Sequence, residues 1–480
     1  MSSFILSSKQ VYEVEKNIKP SFDLMNNAGK LSAKYINKNL PKKNILVLCG
    51  TGGNGGDGFI TGNELKKYKW NVTISIIGDI EKITGDSLKA YKKLKIKNTN
   101  FNDINLDDID YVIDAIFGIG LNRNLDNEYI KTIEKINNKK LPVIALDIPS
   151  GVNSDNGTIS NVTFNCFLTL TYSAYKLGHY LLPSAEKCGK IVLLDIGIPK
   201  PLIKNTKPVI NLNSPSIWKD KIIWPKVNDH KYSRGCTVII GGPKEMTGAA
   251  RLAAKAAQRA GSGIVILACD KNSSDIYYRT LTSQIVKSYR NIPELKNIIK
   301  DKRINSVVIG PGLGINNKNV VKNVLKHSNN IIIDADAITC FQNDIKSFKD
   351  LIRNKTVILT PHEGEFKKLF PNIKGNLVDK AIYAAKKLNS IIVLKSANTI
   401  IASQNNHVII NKYGSKWLAT AGSGDVLAGI IGALVSNGMD AFHAAAFGVW
   451  IHSSAGIYFG PGLIAEDISD LIPKIYKKIY

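Results

Sequence analysis

Asp425 closes a run of small residues, Ala419-Thr420-Ala421-Gly422-Ser423-Gly424, and is followed by the apolar stretch Val426 to Val435. A carboxylate so placed can take a proton from a hydroxyl while that hydroxyl attacks a phosphorus atom. The apolar run reads as a buried helix, which makes the small-residue loop its amino end. Unpaired N–H groups and the positive end of the helix dipole then favour a phosphate there. Gly422 and Gly424 allow backbone geometry that a side chain would block. Gly-Ser-Gly-Asp by itself also describes a capped helix behind a glycine turn. The rest of the chain has to separate the two readings.

A second group of reactive side chains lies in the first half. The apolar segment Ile45 to Cys49 runs directly into Gly50-Thr51-Gly52-Gly53-Asn54-Gly55-Gly56-Asp57-Gly58. Strand, glycine loop and helix together bring backbone N–H groups to a diphosphate. The spacing is neither Gly-x-Gly-x-x-Gly with a distant acid nor a Walker loop. Asn54 and Asp57 add oxygens that suit a cation or a ribose. Tyr111 to Phe117 reads as a strand ending in Gly118-Ile119-Gly120-Leu121-Asn122-Arg123, and Pro142 to Leu146 as one ending in Asp147-Ile148-Pro149-Ser150-Gly151. Each cluster alone is what a turn or helix cap looks like. Three at successive strand ends predict that Asn54, Asp114, Asp147 and Ser150 meet in one crevice.

The elements that must position these residues alternate in type. Residues 9 to 40 read as two helices, and strands and helices then follow in turn to about residue 195. After a segment rich in Pro, Asn and Lys, read as a linker reaching about residue 222, the alternation resumes. Strands in the second half end in Gly310-Pro311-Gly312-Leu313-Gly314, Asp334 to Ala337, Thr360-Pro361-His362-Glu363-Gly364-Glu365 and Lys395-Ser396-Ala397-Asn398-Thr399. The fold class is therefore α/β, with two doubly wound domains spanning residues 1–214 and 223–480. At 480 residues and 44% hydrophobic content, two sizeable cores are expected.

The formal net charge is +25, but the lysines are spread along the chain, which favours a basic solvated surface over nucleic-acid binding. Six scattered cysteines include no Cys-x-x-Cys pair, which argues for a reducing compartment. The first residues carry neither a basic region nor a long apolar stretch. The most apolar segment, Ala441 to Phe459, is interrupted by His443 and His452. A cytoplasmic protein with no membrane contact is expected.

The first-half combination resembles the amino-terminal domain of the bifunctional NAD(P)H-hydrate repair enzymes, a Rossmann-like epimerase. Its loop usually reads Gly-x-Gly-Asn-Asn-Gly-Gly-Asp-Gly, and Gly53 stands here where the first Asn is usual. Phe117 to Arg123 and Asp147 to Gly151 match two further motifs. The resemblance implies potassium on Asn54, Asp114 and Ser150. It implies a hydrated dinucleotide on Gly53, Asn54, Gly55, Gly56 and Asp57. It extends that site over Gly118, Ile119, Gly120, Leu121, Asn122, Arg123 and Asn124, and to Asp147. Thr169 to Gly178 resembles the next strand and Lys-x-Gly turn, with Tyr172 and Tyr175 where the family has small residues or proline. Asp147 and Lys176 are then the acid/base pair that inverts C6 of the hydrated ring.

From about His230 to Asp467 the chain resembles the ribokinase-like dehydratase domain of the same family. Ala249, Gly312, Gly314, His362 and Asp425 are implied to face the hydrated cofactor. Lys395, Ser396, Ala397, Asn398 and Thr399, with the loop Thr420 to Gly424, are implied to hold the adenine nucleotide together with Mg²⁺. Ser396, Ser415 and Trp417 stand where the family usually has Gly, Asn and Gly. Alone, a His after Thr-Pro reads as a helix cap; the resemblance gives His362 the ring to orient. The fused arrangement implies ADP, with ATP as the alternative; small-molecule substrates and a homo-oligomer are also expected. The competing reading is a ribokinase-like small-molecule kinase.

Overall fold

The computed structural model describes residues 4–412 and 414–480. The chain divides into two compact units, the first ending at Ile210 and the second spanning Asn211–Tyr480.

In the first unit six strands form one sheet: β1 (Asn44–Cys49), β2 (Asn71–Ile76), β3 (Tyr111–Ala115), β4 (Val143–Leu146), β5 (Cys166–Tyr172) and β6 (Lys190–Leu194). Their order is β2-β1-β3-β4-β5-β6, and every pairing is parallel. The strands bury both faces, as their near-continuous apolar sequences require. Ile45, Val47 and Cys49 pack with Ala33, Ile36 and Phe59 on one side, while Leu46 and Leu48 pack with Ile133 and Ile136 on the other. Alternate side chains of one strand therefore serve two helical layers. The order reverses between β1 and β3, which places a crevice at their carboxyl ends. Strand β3 stops at Ala115, short of the expected Phe117, because the next amides bond to side chains. Ile116 N–H donates to Asp114 Oδ1 (3.2 Å) and Phe117 N–H to Ser150 Oγ (2.8 Å).

The second unit contains β7 (Cys236–Ile240), β8 (Ile264–Asp270), β9 (Ile285–Tyr289), β10 (Ser306–Ile309), β11 (Asn330–Ile333), β12 (Thr356–Leu359), β13 (Ile391–Leu394), β14 (Ile400–Ala402) and β15 (Val408–Ile410). They run in the order β15-β14-β13-β12-β11-β10-β7-β8-β9. Seven are parallel, and β13-β14-β15 is an antiparallel meander. The reversal here lies between β7 and β10. Helices Thr247–Arg259 and Ser423–Ser436 cover one face at very close range. A Cβ on Gly429 would lie 2.2 Å from the Ala253 carbonyl oxygen, so small residues are what let these helices touch.

The expected linker up to residue 222 is a correction. Trp218 is fully buried and stacks on Phe447 at 4.3 Å between ring centroids. Its indole N–H donates to Asn213 Oδ1 (2.9 Å), and Asn213 Nδ2 donates to Ala446 O (2.7 Å). A Pro- and Lys-rich composition concealed one anchoring aromatic residue. Among the described residues, no helix is long and apolar enough to cross a membrane. All six cysteines are free and buried.

Candidate functional sites

The glycine loop after β1 opens into helix Gly53–Lys67. Gly55 and Gly58 are there for packing: a Cβ on Gly55 would meet Gly50 O at 1.9 Å, and one on Gly58 would meet Ala115 Cβ at 2.6 Å. A Cβ on Gly53 would meet nothing within 4 Å among the described residues. It borders a cleft of about 550 Å³ lined also by Asn54, Asp57, Gly118, Asp147 and Tyr172. The expected convergence is present. Asn54 Nδ2 donates to Phe117 O (3.0 Å), and Ser150 presents both its N–H and its Oγ–H to the Asp114 carboxylate (2.7 and 2.6 Å). A Cβ on Gly118 would stand 3.5 Å from both Asn54 Cβ and Asp147 Oδ2. Ile119, Gly120, Leu121, Asn122 and Arg123 line the same cleft, whereas Asn124 faces a neighbouring one of about 390 Å³.

Two features at this crevice suit a hard cation. Asn54 Oδ1 is buried with no hydrogen-bond partner among the described residues. Asp114 is fully buried, and burial raises its carboxyl to about 6 despite the Ser150 hydrogen bonds. An oxygen-only set of this kind fits an alkali or alkaline-earth ion.

Asp147 follows β4 with a positive φ of 64°, a strained position for a residue with a side chain. Its carboxylate is paired with the Lys176 ammonium, and both are buried. Lys176 Nζ also donates to Thr171 Oγ1 and to Tyr172 O, each at 2.9 Å. His179 secures both partners. Lys176 N–H donates to His179 Nδ1 (3.1 Å), so Nε2 carries the proton and donates to Asp147 O (2.9 Å). Burial, followed by the nearby Lys176 charge, lowers His179 to about 4 and keeps the imidazole neutral. Burial and the Asp147 charge hold the Asp57 carboxyl well above its usual range. Glu15, on helix Ser8–Lys16, lines the cleft with its carboxyl raised by burial and bonded to Ser173 Oγ (3.0 Å).

In the second unit the loop before Asp425 is the amino end of helix Ser423–Ser436, with Gly422 left-handed at φ 84°. Burial raises the Asp425 carboxyl to about 7; the Asp334 carboxylate adds to this and Lys395 opposes it. Lys395, at the end of β13, donates to Asp334 Oδ1 (2.7 Å), which also accepts from Thr360 Oγ1 (2.7 Å). A Cβ on Gly424 would lie 3.2 Å from Lys395 Nζ, so the ammonium stands beside the loop. A Cβ on Gly414 would meet Ala397 O at 2.0 Å, which ties the turn 395–399 to the segment leading into the loop. Within that turn Ser396 Oγ donates to Asn398 O (2.9 Å) and Thr399 Oγ1 to Ser396 O (3.3 Å).

Gly312 lies against the start of helix Thr247–Arg259: its Cβ would be 2.9 Å from Ala249 Cβ. Gly314 N–H donates to Asp336 Oδ2 (2.8 Å). His362 does cap a helix. Its Nδ1 accepts from Gly364 N–H (2.9 Å) and Glu365 N–H (3.3 Å), while its ring is more than half exposed. Capping and facing a ligand are thus compatible. Beneath the loop, His452 Nε2 donates to Ser423 O (2.9 Å); burial lowers this imidazole to about 4.

Residues 237–474 match the family described as NAD(P)H-hydrate dehydratase, and residues 21–178 that described as YjeF-related protein N-terminus. The chain is 30% identical to the bifunctional NAD(P)H-hydrate repair enzyme of Dictyoglomus turgidum, over 98% of this chain and 97% of that one. The chain belongs to the bifunctional NAD(P)H-hydrate repair enzymes. The relative from Thermofilum pendens is also 30% identical, over 95% of this chain and 92% of its own. Among solved structures, an ADP/ATP-dependent NAD(P)H-hydrate dehydratase from Bacillus subtilis, co-crystallized with ATP/Mg²⁺, is 25% identical with a TM-score of 0.48. It covers 56% of this chain and 98% of its own. The protein is thus a two-activity enzyme, with an α/β epimerase unit followed by an α/β dehydratase unit.

Sequence reading missed His179, His452 and Glu15. His452 entered it only as an interruption of an apolar segment, and Glu15 lies in an unremarkable amphipathic helix. His179 follows Lys176 by three residues, but nothing in that spacing says that its ring grips the Asp147 carbonyl.

Proposed function

We propose that the first unit interconverts the R and S hydrates of NADH and NADPH at C6, and that the second uses an adenine nucleotide to dehydrate the S form. The observation that carries the second half is Asp425: a carboxyl raised to about 7 at the amino end of a helix, beside an ammonium. A base poised near neutrality takes the C6 hydroxyl proton as the oxygen attacks the terminal phosphorus of the nucleotide. Loop N–H groups at Gly422 to Gly424 and Lys395 Nζ neutralise the transferring charge. The C6–O bond then breaks with phosphate leaving, pushed by the ring-nitrogen lone pair. A proton is lost from C5, which restores the dihydronicotinamide.

Magnesium fits as a companion of the nucleotide. Among the described residues no three His, Cys, Asp or Glu side chains form a ligating group, so phosphate oxygens would supply most of its ligands. It would offset phosphate charge. We take ADP as the phosphoryl donor on the fused domain arrangement.

In the first unit Asp147 and Lys176 are the acid/base pair. Asp147 can take the C6 hydroxyl proton as the C6–N1 bond opens to an aldehyde, while Lys176 protonates the departing nitrogen. Re-closure on the other face of the carbonyl, with both protons returned, inverts C6. Asn54, Asp114 and Ser150 would hold potassium. The unpartnered Asn54 Oδ1 supports this, and the ion would anchor the loops at Asn54 and Phe117.

The test follows dihydronicotinamide absorbance when mixed hydrate epimers are supplied with Mg²⁺, K⁺ and either ADP or ATP. Full recovery is expected. Recovery that halts at the content of one epimer would sink the epimerase half, and none with either nucleotide would sink the dehydratase half.

A further inference from the structure

A cleft of about 700 Å³ in the second unit is not used by the chemistry above. One wall is a face of helix Thr247–Arg259 carrying Arg251, Lys255 and Arg259 at four-residue intervals, so three cations lie along about 12 Å of helix. The facing wall is the turn Leu281 to Gln284. Gln258 Oε1 holds that turn, accepting from Ser283 Oγ (2.9 Å) and Gln284 Nε2 (2.6 Å). Lys255 and Arg259 share one carboxylate, Asp470, at 2.8 and 3.7 Å. Half-buried Arg251 has no hydrogen bond or ion pair among the described residues.

The cleft adjoins the reacting loop. Leu252 lines it and also stands 2.5 Å from where a Gly422 Cβ would be. Gly248, at its near end, precedes Ala249, which packs on Gly312. The groups read as facing the hydrated ring are small and neutral apart from Asp425 and His362. None of them balances the phosphates that the dinucleotide itself carries. Lys395 and the loop N–H groups are committed to the nucleotide.

We infer that this cleft binds the phosphate-bearing adenosine end of the hydrated dinucleotide, with the Arg251 guanidinium as its phosphate ligand. This rests on the dehydratase reading. A planar guanidinium offers paired donors to phosphate. Lys255 and Arg259 are held by Asp470, and Glu466 also lines the cleft, so Arg251 is the cation left without an ion pair to receive the phosphate. The pyrophosphate and the 2′-phosphate of the NADP form present the same chemistry, and two substrates separate them.

The experiment uses the full-length enzyme with saturating nucleotide and Mg²⁺ and the S hydrates of NADH and NADPH. Arg251→Ala should raise KM about tenfold with kcat within twofold, and Arg251→Lys should recover part of the loss. A rise for both hydrates identifies the pyrophosphate as the bound group; a rise for the NADPH hydrate alone identifies the 2′-phosphate. Unchanged KM for both hydrates, or a rise in the KM of the nucleotide instead, overturns the inference while wild-type turnover leaves the dehydratase reading standing. Calorimetry with adenosine 2′,5′-bisphosphate gives a readout that needs no turnover. Binding about tenfold weaker in Arg251→Ala is expected, and equal binding by both proteins overturns the cleft assignment. Absence of wild-type turnover would instead count against the dehydratase reading.

Discussion

Burial raises the Asp425 carboxyl to about 7, a value that would suit a base working at neutral pH. With its carboxyl at about 7, the dehydration rate should rise with pH and level off above that value. Below about pH 6 it should fall roughly tenfold per pH unit, as for a single essential base. His452 and His179, at about 4, are already neutral across that window and should leave no inflection in it. The same shift has a stability consequence. A folded-state value above the ordinary 3.8 means that folding favours the protonated acid. Stability is therefore lost as pH rises from about 4 to about 7. Asp425→Asn should abolish dehydration yet be more stable than wild type at pH 8 by up to about 4 kcal/mol, seen as a higher unfolding temperature, with little change at pH 4. Thermal unfolding at the two pH values checks this; a destabilised variant at pH 8 would contradict it. In the first unit, Lys176→Met should stop epimerisation while S-hydrate dehydration continues. Removing one partner of this buried pair should also cost on the order of 3–5 kcal/mol, read from denaturant unfolding.

Glycine placement at the element scale sorts packing from ligand contact. Gly429→Ala would drive a methyl into the Ala253 carbonyl and should cost about 1–3 kcal/mol by denaturant unfolding, because neither helix backbone can retreat. Gly53→Asn installs the residue usual in the family where nothing lies within 4 Å. Its stability should stay within about 0.5 kcal/mol of wild type, and any effect should appear in the KM for the hydrate. The two histidines act at this scale too, each holding through Nε2 the carbonyl of a residue in a reactive loop. His452→Leu would leave Ser423 O without that donor and should cost about 1–3 kcal/mol, with loss of dehydratase activity alone. Loss of both activities would show that the damage reaches beyond the loop.

The whole molecule is two α/β units, each with its candidate site where strand order reverses. A second unit begun at Asn211 keeps Trp218, whereas one begun at residue 223 loses it. The shorter form should be less stable by about 3–5 kcal/mol, a difference that denaturant melts of the two fragments would measure. Much of this was legible from sequence, because strand–loop–helix punctuation carries its own physics. The glycines, Asn54, Asp114 and Asp147 fall at or near strand ends and Asp425 in the first turn of a buried helix, so motif and alternation together pointed to a crevice in the first unit and a helix amino end in the second. Local pattern also set the continuous burial of Ile45 to Cys49, as its unbroken apolar sequence requires. Only the tertiary structure decided which groups from distant segments meet: Lys395 beside Gly424, His452 beneath Ser423, Trp218 in the second core, Arg251 at the cleft. Those contacts arise from packing between elements far apart in the chain, and the same packing sets the desolvation that moves the Asp425 carboxyl. Residue order specifies such distances and burial only through the folded whole.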